Sequence, residues 1–220
     1  MKRFRFELIL ALVLGVLTTL YWHSQEPGDP LTKAESDRYI AVIDAKFPFP
    51  TAELKTAALI RMRGFAERDD GRDVYMLNLL RFHPQMASGP APAAQFKGTP
   101  AQANVDYEDN AVPIALKSGS FPIFTGYVSE PNALGGENAA EDNWSRIIVM
   151  HYPSRRHFFE LLTDPVYLAK ADYKSYAMHM ALVPVKRDMV IPDFRHLALF
   201  GAILLFLLIA LVRALRREAK

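Results

Sequence analysis

Residues 144–167, WSRIIVMHYPSRRHFFELLTDPVY, admit few conformations and constrain everything around them. Ile147, Ile148 and Val149 are β-branched and suit a pleated strand. Tyr152-Pro153 ends that strand, because proline has no N–H for a ladder. Ser154 then stands where a side-chain oxygen can accept the free N–H groups of a first helical turn. Phe158, Phe159, Leu161 and Leu162 follow at the spacing that gives a helix over 154–163 one apolar face. Asp164-Pro165 stops the helix, since the residue before a proline is pushed out of the α region. A strand therefore feeds a short helix through a tight corner, and neighbouring segments must supply both with partners.

Those partners can be read in order. Thr32 and Glu35 have capping-box spacing at the head of a helix carrying Tyr39, Ile40 and Ile43, which the Pro48 and Pro50 pair ends. A second amphipathic helix spans 51–67, with Leu54, Ala58, Met62 and Phe65 in register, and the two are expected to form a hairpin spacer over 24–72. Residues 73–82, DVYMLNLLRF, read as a strand. Residues 83–100 are crowded with Pro, Ala and Gly and are long for a connection, so a mobile flap is expected there. A helix at 105–117 contains Pro113, which predicts a kink or a start in two pieces. After Gly119, residues 121–128 form a second strand and 130–143 a loop. The strand and helix of the opening stretch come next, then a helical piece at 166–176 and a strand at 180–186.

The order strand, helix, strand, strand, helix, strand predicts an α+β, ferredoxin-like βαββαβ domain over 73–192, with helices on one face of the sheet. The other face would expose Val, Ile, Met and Phe, and an apolar patch of that size wants a partner. A homodimer, sheet against sheet with a pocket between, is the expected solution.

Two flanking segments bear on location. Residues 8–22 are uninterruptedly apolar, end in Tyr21-Trp22 and follow Lys2, Arg3 and Arg5. Bulky residues stand where a signal-peptide cleavage site would want small ones, so 1–23 reads as a retained anchor. Residues 196–212, HLALFGAILLFLLIALV, are apolar on every side and precede Arg213, Arg216, Arg217 and Lys220, so 193–220 reads as a transmembrane helix with a basic tail. Both basic ends point to the cytoplasm, which makes the central domain extracytoplasmic and the lipid bilayer a partner. Between residues 23 and 194 there are 18 Lys+Arg against 22 Asp+Glu, so no basic face suits nucleic acid. The chain has no cysteine, which removes thiol chemistry.

Several side chains could carry a ligand or a reaction. Asn78 interrupts an apolar strand and must either find internal hydrogen bonds or orient a ligand in a dimer cavity. Arg81, on the opposite pleat face, is expected to pair with an acid beneath the helices. Alternation puts Trp144 and Arg146 on one face as walls for an aromatic or carboxylate ligand, although Arg146 equally fits a strand-end ion pair. Tyr107 and Tyr127 could add hydroxyls to the same cavity. His151, beside the strand-end corner, is the candidate general base. Arg155 and Arg156 occupy a first helical turn, where the dipole disfavours cations, so an anionic partner is implied unless water alone covers them. Met178-His179-Met180 offers soft ligands, but neighbours on an extended chain point apart, and no metal or cofactor is expected. No zinc-protease pair of histidines, phosphate loop or nucleophile elbow is present.

The run YPSRRHFFELLTDPVY, with Trp144, Arg146, the MLNLLRF strand and the spacing of Tyr107, Pro113 and Gly119, resembles a bacterial family of unknown function in the dimeric α/β-barrel superfamily. The resemblance covers 74–185. It implies the ferredoxin-like dimer, and it brings in a superfamily that also holds cofactor-independent monooxygenases, isomerases, decarboxylases, heme-dependent members and members without known activity. Three functions follow as expectations. The first is a membrane-anchored domain binding a small apolar or aromatic molecule. The second is a cofactor-independent monooxygenase or isomerase using Asn78, Trp144, Arg146 and His151. The third is an accessory subunit of a membrane complex.

Overall fold

The structure, a computed structural model, describes residues 28–89, 92–130, 133–134 and 143–186, together with residue 16 and scattered positions between 201 and 216. Two helices open the described chain, α1 (Lys33–Lys46) and α2 (Ala52–Glu67). Then come β1 (Val74–Phe82), a 3-10 turn (Pro92–Gln95), α3 (Pro100–Lys117), β2 (Phe121–Tyr127) and β3 (Arg146–Tyr152). The domain ends with α4 (Arg155–Thr163), α5 (Pro165–Leu168), α6 (Ala171–Ala177) and β4 (Met178–Val185). The strands form one antiparallel sheet in the order β2-β3-β1-β4, the topology expected of a ferredoxin-like fold.

Register sorts every strand residue onto a face. Met76 pairs with Met150 and Pro184, Asn78 with Ile148 and Leu182, and Leu80 with Arg146 and Met180. Val74, Met76 and Leu80 belong to the cores beneath the helices, so these residues line the covered face. The odd-numbered residues of β1, with His151, Val149 and Ile147 opposite them, line the other face. A bulge between Pro122 and Phe124 shifts β2, so that Phe121 and Phe124 both pair with open-face residues of β3.

Local chemistry explains most boundaries. Thr32 and Glu35 form the expected capping box of α1. A second capping box, Thr99 with Gln102, starts α3 five residues before the expected position. Pro113 lies inside α3 without dividing it, and Gly119, at φ 77°, supplies the left-handed turn that releases the chain into β2. Ser154 occupies the N-cap position of α4, but its hydroxyl meets His157 Nδ1 at 2.8 Å rather than a backbone N–H. Asp164 accepts from the N–H groups of Val166 and Tyr167 and so caps α5.

The helix pair expected as a spacer is part of the core. Tyr39 stacks on Phe159 at 5.7 Å, and Phe65 meets Phe158 edge-on at 5.5 Å. Arg155 donates to Phe65 O at 2.7 Å and lies 3.9 Å from Asp69, while Arg156 donates to Glu35. The anions that the first turn of α4 called for are thus carboxylates of this chain. The flap is also fastened: His83 N donates to Ala177 O, Ala87 N to Tyr176 O, and Ala93 N to the buried carboxylate of Asp172.

Residues 187–220 form a separate unit. Its described positions, among them Leu204, Leu205, Leu207, Leu208, Ile209 and Leu211, are helical and exposed. The rest of the apolar run at 196–212, and all of the run at 8–22 except Val16, lie outside the described residues. Among the described residues, no helix is long and apolar enough to cross a membrane.

Candidate functional site

The sheet separates residues that were expected to act together. Arg146 points under the helices, where its Nη1 donates to Glu108 Oε2 of α3 at 2.9 Å. Trp144 precedes the regular strand, and alternation does not reach it: Ser145 N donates to Leu80 O and Ser145 Oγ accepts from Phe82 N, which turns the backbone. The indole instead stacks on His179 at 6.1 Å, with the Arg81 guanidinium 5.5 Å from its ring. Arg81 therefore meets Trp144 and Asn143 Oδ1 on the open-face side and finds no acid beneath the helices. His151 is on the open face too, between the rings of Tyr75 and Phe121 and 3.6 Å from Asp73 Oδ2. A base there and a guanidinium on the covered face cannot share one substrate.

Asn78 is occupied by the fold. Its Nδ2 donates to Met76 O at 2.9 Å and to Ile148 O at 3.4 Å, joining β1 to β3 beneath the helices. It faces away from any cavity between two sheets. Met178 and Met180 pair with covered-face positions and His179 with Arg81, so the three cannot close on one ion. Among the described residues no cluster of three or more His, Cys, Asp or Glu could hold a metal.

What the fold does bring together lies between α3, α6 and the β3 end of the covered face. Glu108 accepts from Arg146 and, through Oε1, from Asn104 Nδ2 at 2.9 Å. The guanidinium also lies 5.1 Å over the ring of Tyr127, which is 67% exposed. From α6, the Lys174 ammonium stands 5.1 Å over the ring of Tyr107. The Tyr107 hydroxyl donates to the Tyr167 hydroxyl at 3.0 Å, with the rings edge to face. Arg146 and Glu108 expose only 12% and 21% of their side chains, and Asn104 is 1% exposed.

The electrostatics of this cluster are unbalanced. Among the described residues two cations face one carboxylate. Burial pulls the Lys174 ammonium down to about 8; Glu108 opposes that shift and Arg146 adds to it. Burial also raises the phenols, Tyr167 to about 12 and Tyr107 and Tyr152 upward as well, so all three stay neutral. Asn104 Oδ1 and Arg146 Nε are buried without a hydrogen-bond partner, one an acceptor and the other a charged donor.

Of the residues singled out in the sequence, Arg146, Tyr107 and Tyr127 meet here, while Asn78, Trp144 and His151 do not. Glu108, Asn104 and Lys174 were missed. The detectable signal was the Thr99-Gln102 capping box: a helix begun there puts Asn104 and Glu108 one turn apart, beside the buried row Ala103, Tyr107 and Ala111.

No family model matches the chain, and no curated protein matches it. Among solved structures it is similar to the crystal structure of RPA0582, a protein of unknown function from Rhodopseudomonas palustris. The identity is 24%, the match covers 66% of this chain and 98% of that one, and the TM-score is 0.50. A methylated form of RPA0582 gives the same score. SnoaB, a cofactor-independent oxygenase from Streptomyces nogalater, aligns at 15% identity over 55% of this chain and 98% of its own, with a TM-score of 0.34. The likeness to RPA0582 agrees with the ferredoxin-like fold read from the strand order, and it says nothing about chemistry.

Proposed function

We propose that this chain binds a small apolar or aromatic organic molecule at the rim between α3, α6 and β3, and that binding rather than catalysis is its function. One observation carries the reading. Arg146, Lys174 and Glu108 are half-buried and Asn104 is buried among tyrosine rings, with a charged donor and an amide acceptor left unused. Burying such groups costs free energy that folding alone does not recover. A few convergent polar groups beside aromatic walls are what an orienting ligand site needs. The test is native mass spectrometry of the full chain extracted from its membrane, followed by thermal-shift measurements with a panel of small aromatic compounds. Wild type should carry or be stabilised by such a compound, and Lys174→Met should lose the effect. A panel that stabilises neither form overturns the reading.

A second reading, a cofactor-independent isomerase or monooxygenase, is favoured by Lys174. An amine titrating near 8 beside a carboxylate can accept a proton from a substrate within the neutral range.

The proposal includes location and assembly. The apolar runs at 8–22 and 196–212, with basic residues outside both, would hold the domain on the outer side of the cytoplasmic membrane. A second copy would cover the open sheet face, where Phe121, Phe124, Val183 and Val185 are exposed. Arg81 lies at one end of β1 and Asp73 just before the other. Two sheets stacked about an axis across the strands would bring those opposite charges together. Sedimentation of the detergent-solubilised chain should give a dimer, and Phe124→Asp a monomer.

A further inference from the structure

The unbalanced charge of the rim cluster says more about its ligand than that it is aromatic. Among the described residues Glu108 is the one carboxylate facing Lys174: Tyr107 and Glu108 come from α3 and Arg146 from β3. With Lys174 protonated the cluster holds one positive charge in excess. Desolvated cations in proteins are matched by anions or pay heavily. The missing partner is thus an anion, and the orphaned Arg146 Nε–H is a charged donor with nothing to donate to. The second orphan has the opposite character. Asn104 Nδ2 is already committed to Glu108, which leaves Oδ1 as an acceptor at a site 1% exposed. A carboxylate cannot satisfy it, whereas a hydroxyl can. The ring of Tyr127, largely exposed and already under the guanidinium, offers an apolar surface beside the cluster.

We propose that the rim cluster takes an organic acid with a hydroxyl beside its carboxylate and an aromatic body. Arg146 Nε and Lys174 Nζ would hold the carboxylate, and Asn104 Oδ1 would accept from the hydroxyl. This rests on the binding function proposed above and names the class of ligand. Burial disfavours the Lys174 ammonium in the free site and a bound anion favours it, so at pH 8 each ligand should bring a fraction of a proton with it.

Titration calorimetry of the full chain in detergent at pH 8, in two buffers of different ionisation enthalpy, tests this with three probes: salicylate, benzoate and the uncharged 2-hydroxybenzyl alcohol. Salicylate should bind tightest, by about tenfold or more over the alcohol, since a charged hydrogen bond is at stake. The buffer dependence should report proton uptake with both acids and none with the alcohol. Lys174→Met should abolish the uptake and weaken salicylate, and Lys174→Arg should restore affinity without the uptake. An alcohol that binds as tightly as salicylate overturns the anion assignment and leaves the binding function standing. Salicylate binding that Lys174→Met does not change places the ligand elsewhere and also overturns it. If none of the three binds and the wider panel stabilises nothing, the binding function falls as well.

Discussion

The two faces of the sheet are built from the same four strands and do different work. On the covered face Asn78 stitches β1 to β3 and Arg146 reaches Glu108, although the Arg146 Nε is left without a partner. On the open face, Leu77, Leu79, Ile147, Val149, Ala181 and Val183 make an apolar field, with His151 near one end and Arg81 and His179 at the other. The contrast teaches that alternation alone decides which side chains can cooperate. Arg146 and His151 are five residues apart on one strand and face opposite ways, so no single ligand on one face meets both.

The largest test of that difference compares two phenylalanines. Phe159 is fully buried on α4, between Tyr39, Phe65 and Phe158. Phe159→Ala should lower stability by about 3–5 kcal/mol in urea titrations. Phe124 is 55% exposed on the open face, and Phe124→Ala should change monomer stability by less than about 0.5 kcal/mol. Equal losses would mean that the open face is part of the folded core and that the two faces are not distinct.

Within the covered face the charge cluster comes next. Glu108→Gln leaves Arg146 and Lys174 without their anion and should cost about 2 kcal/mol at pH 7. The loss should shrink as pH rises through 8, because Lys174, its ammonium already disfavoured by burial, gives up its proton and the repulsion with it. A penalty independent of pH between 7 and 9 would mean that Lys174 is not coupled to Glu108. Slightly smaller is the effect of the tyrosine pair. Tyr107→Phe or Tyr167→Phe removes one hydroxyl and strands the other, for about 1–2 kcal/mol each. The double variant should lose less than the sum, and strict additivity would show that the bond contributes nothing.

Much of the fold was legible in residues 144–167, because β-branched strand, proline corner and apolar helix are local decisions made by local chemistry. The strand order followed, and so did the two faces. The candidate site was only half legible. Arg146, Tyr107 and Tyr127 were recognisable as candidates, but pairing them with Trp144 required the strand to begin two residues before it does. That departure comes from Ser145, whose hydroxyl bonds to a strand it does not neighbour in sequence. Asn78 shows the same limit, since whether an amide is spent on backbone carbonyls depends on where a strand seventy residues away lies. Lys174 had no signal at all: one lysine in a short helix reads as solvated until the helix in front of it is placed. The helix pair taken for a spacer failed for a related reason, because its partners Phe158, Phe159 and Arg156 come more than ninety residues later.

That helix pair supplies the smallest test. It adds a second layer on the covered side, and Glu35 with Arg156 holds it there at the surface. The Arg156 guanidinium beside Glu35, together with the hydrogen bonds from Thr32, draws the carboxyl down to about 2. A carboxyl depressed in the folded state binds protons less readily there than in the unfolded chain, whose value is 4.5. Its contribution is therefore complete above that value and is lost as pH falls towards 2. Glu35→Gln should be less stable than wild type at neutral pH, and the urea midpoints of the two should converge between pH 4.5 and 2. Both partners are only half-buried, with 25% and 28% of their side chains exposed, so salt should shrink the difference, and shrink it more than for the deeper pair of Arg146 and Glu108. If the two midpoints stay a constant distance apart down to pH 2, the clamp is not ionic, and the outer layer is held to the sheet by Tyr39, Phe65 and their rings alone.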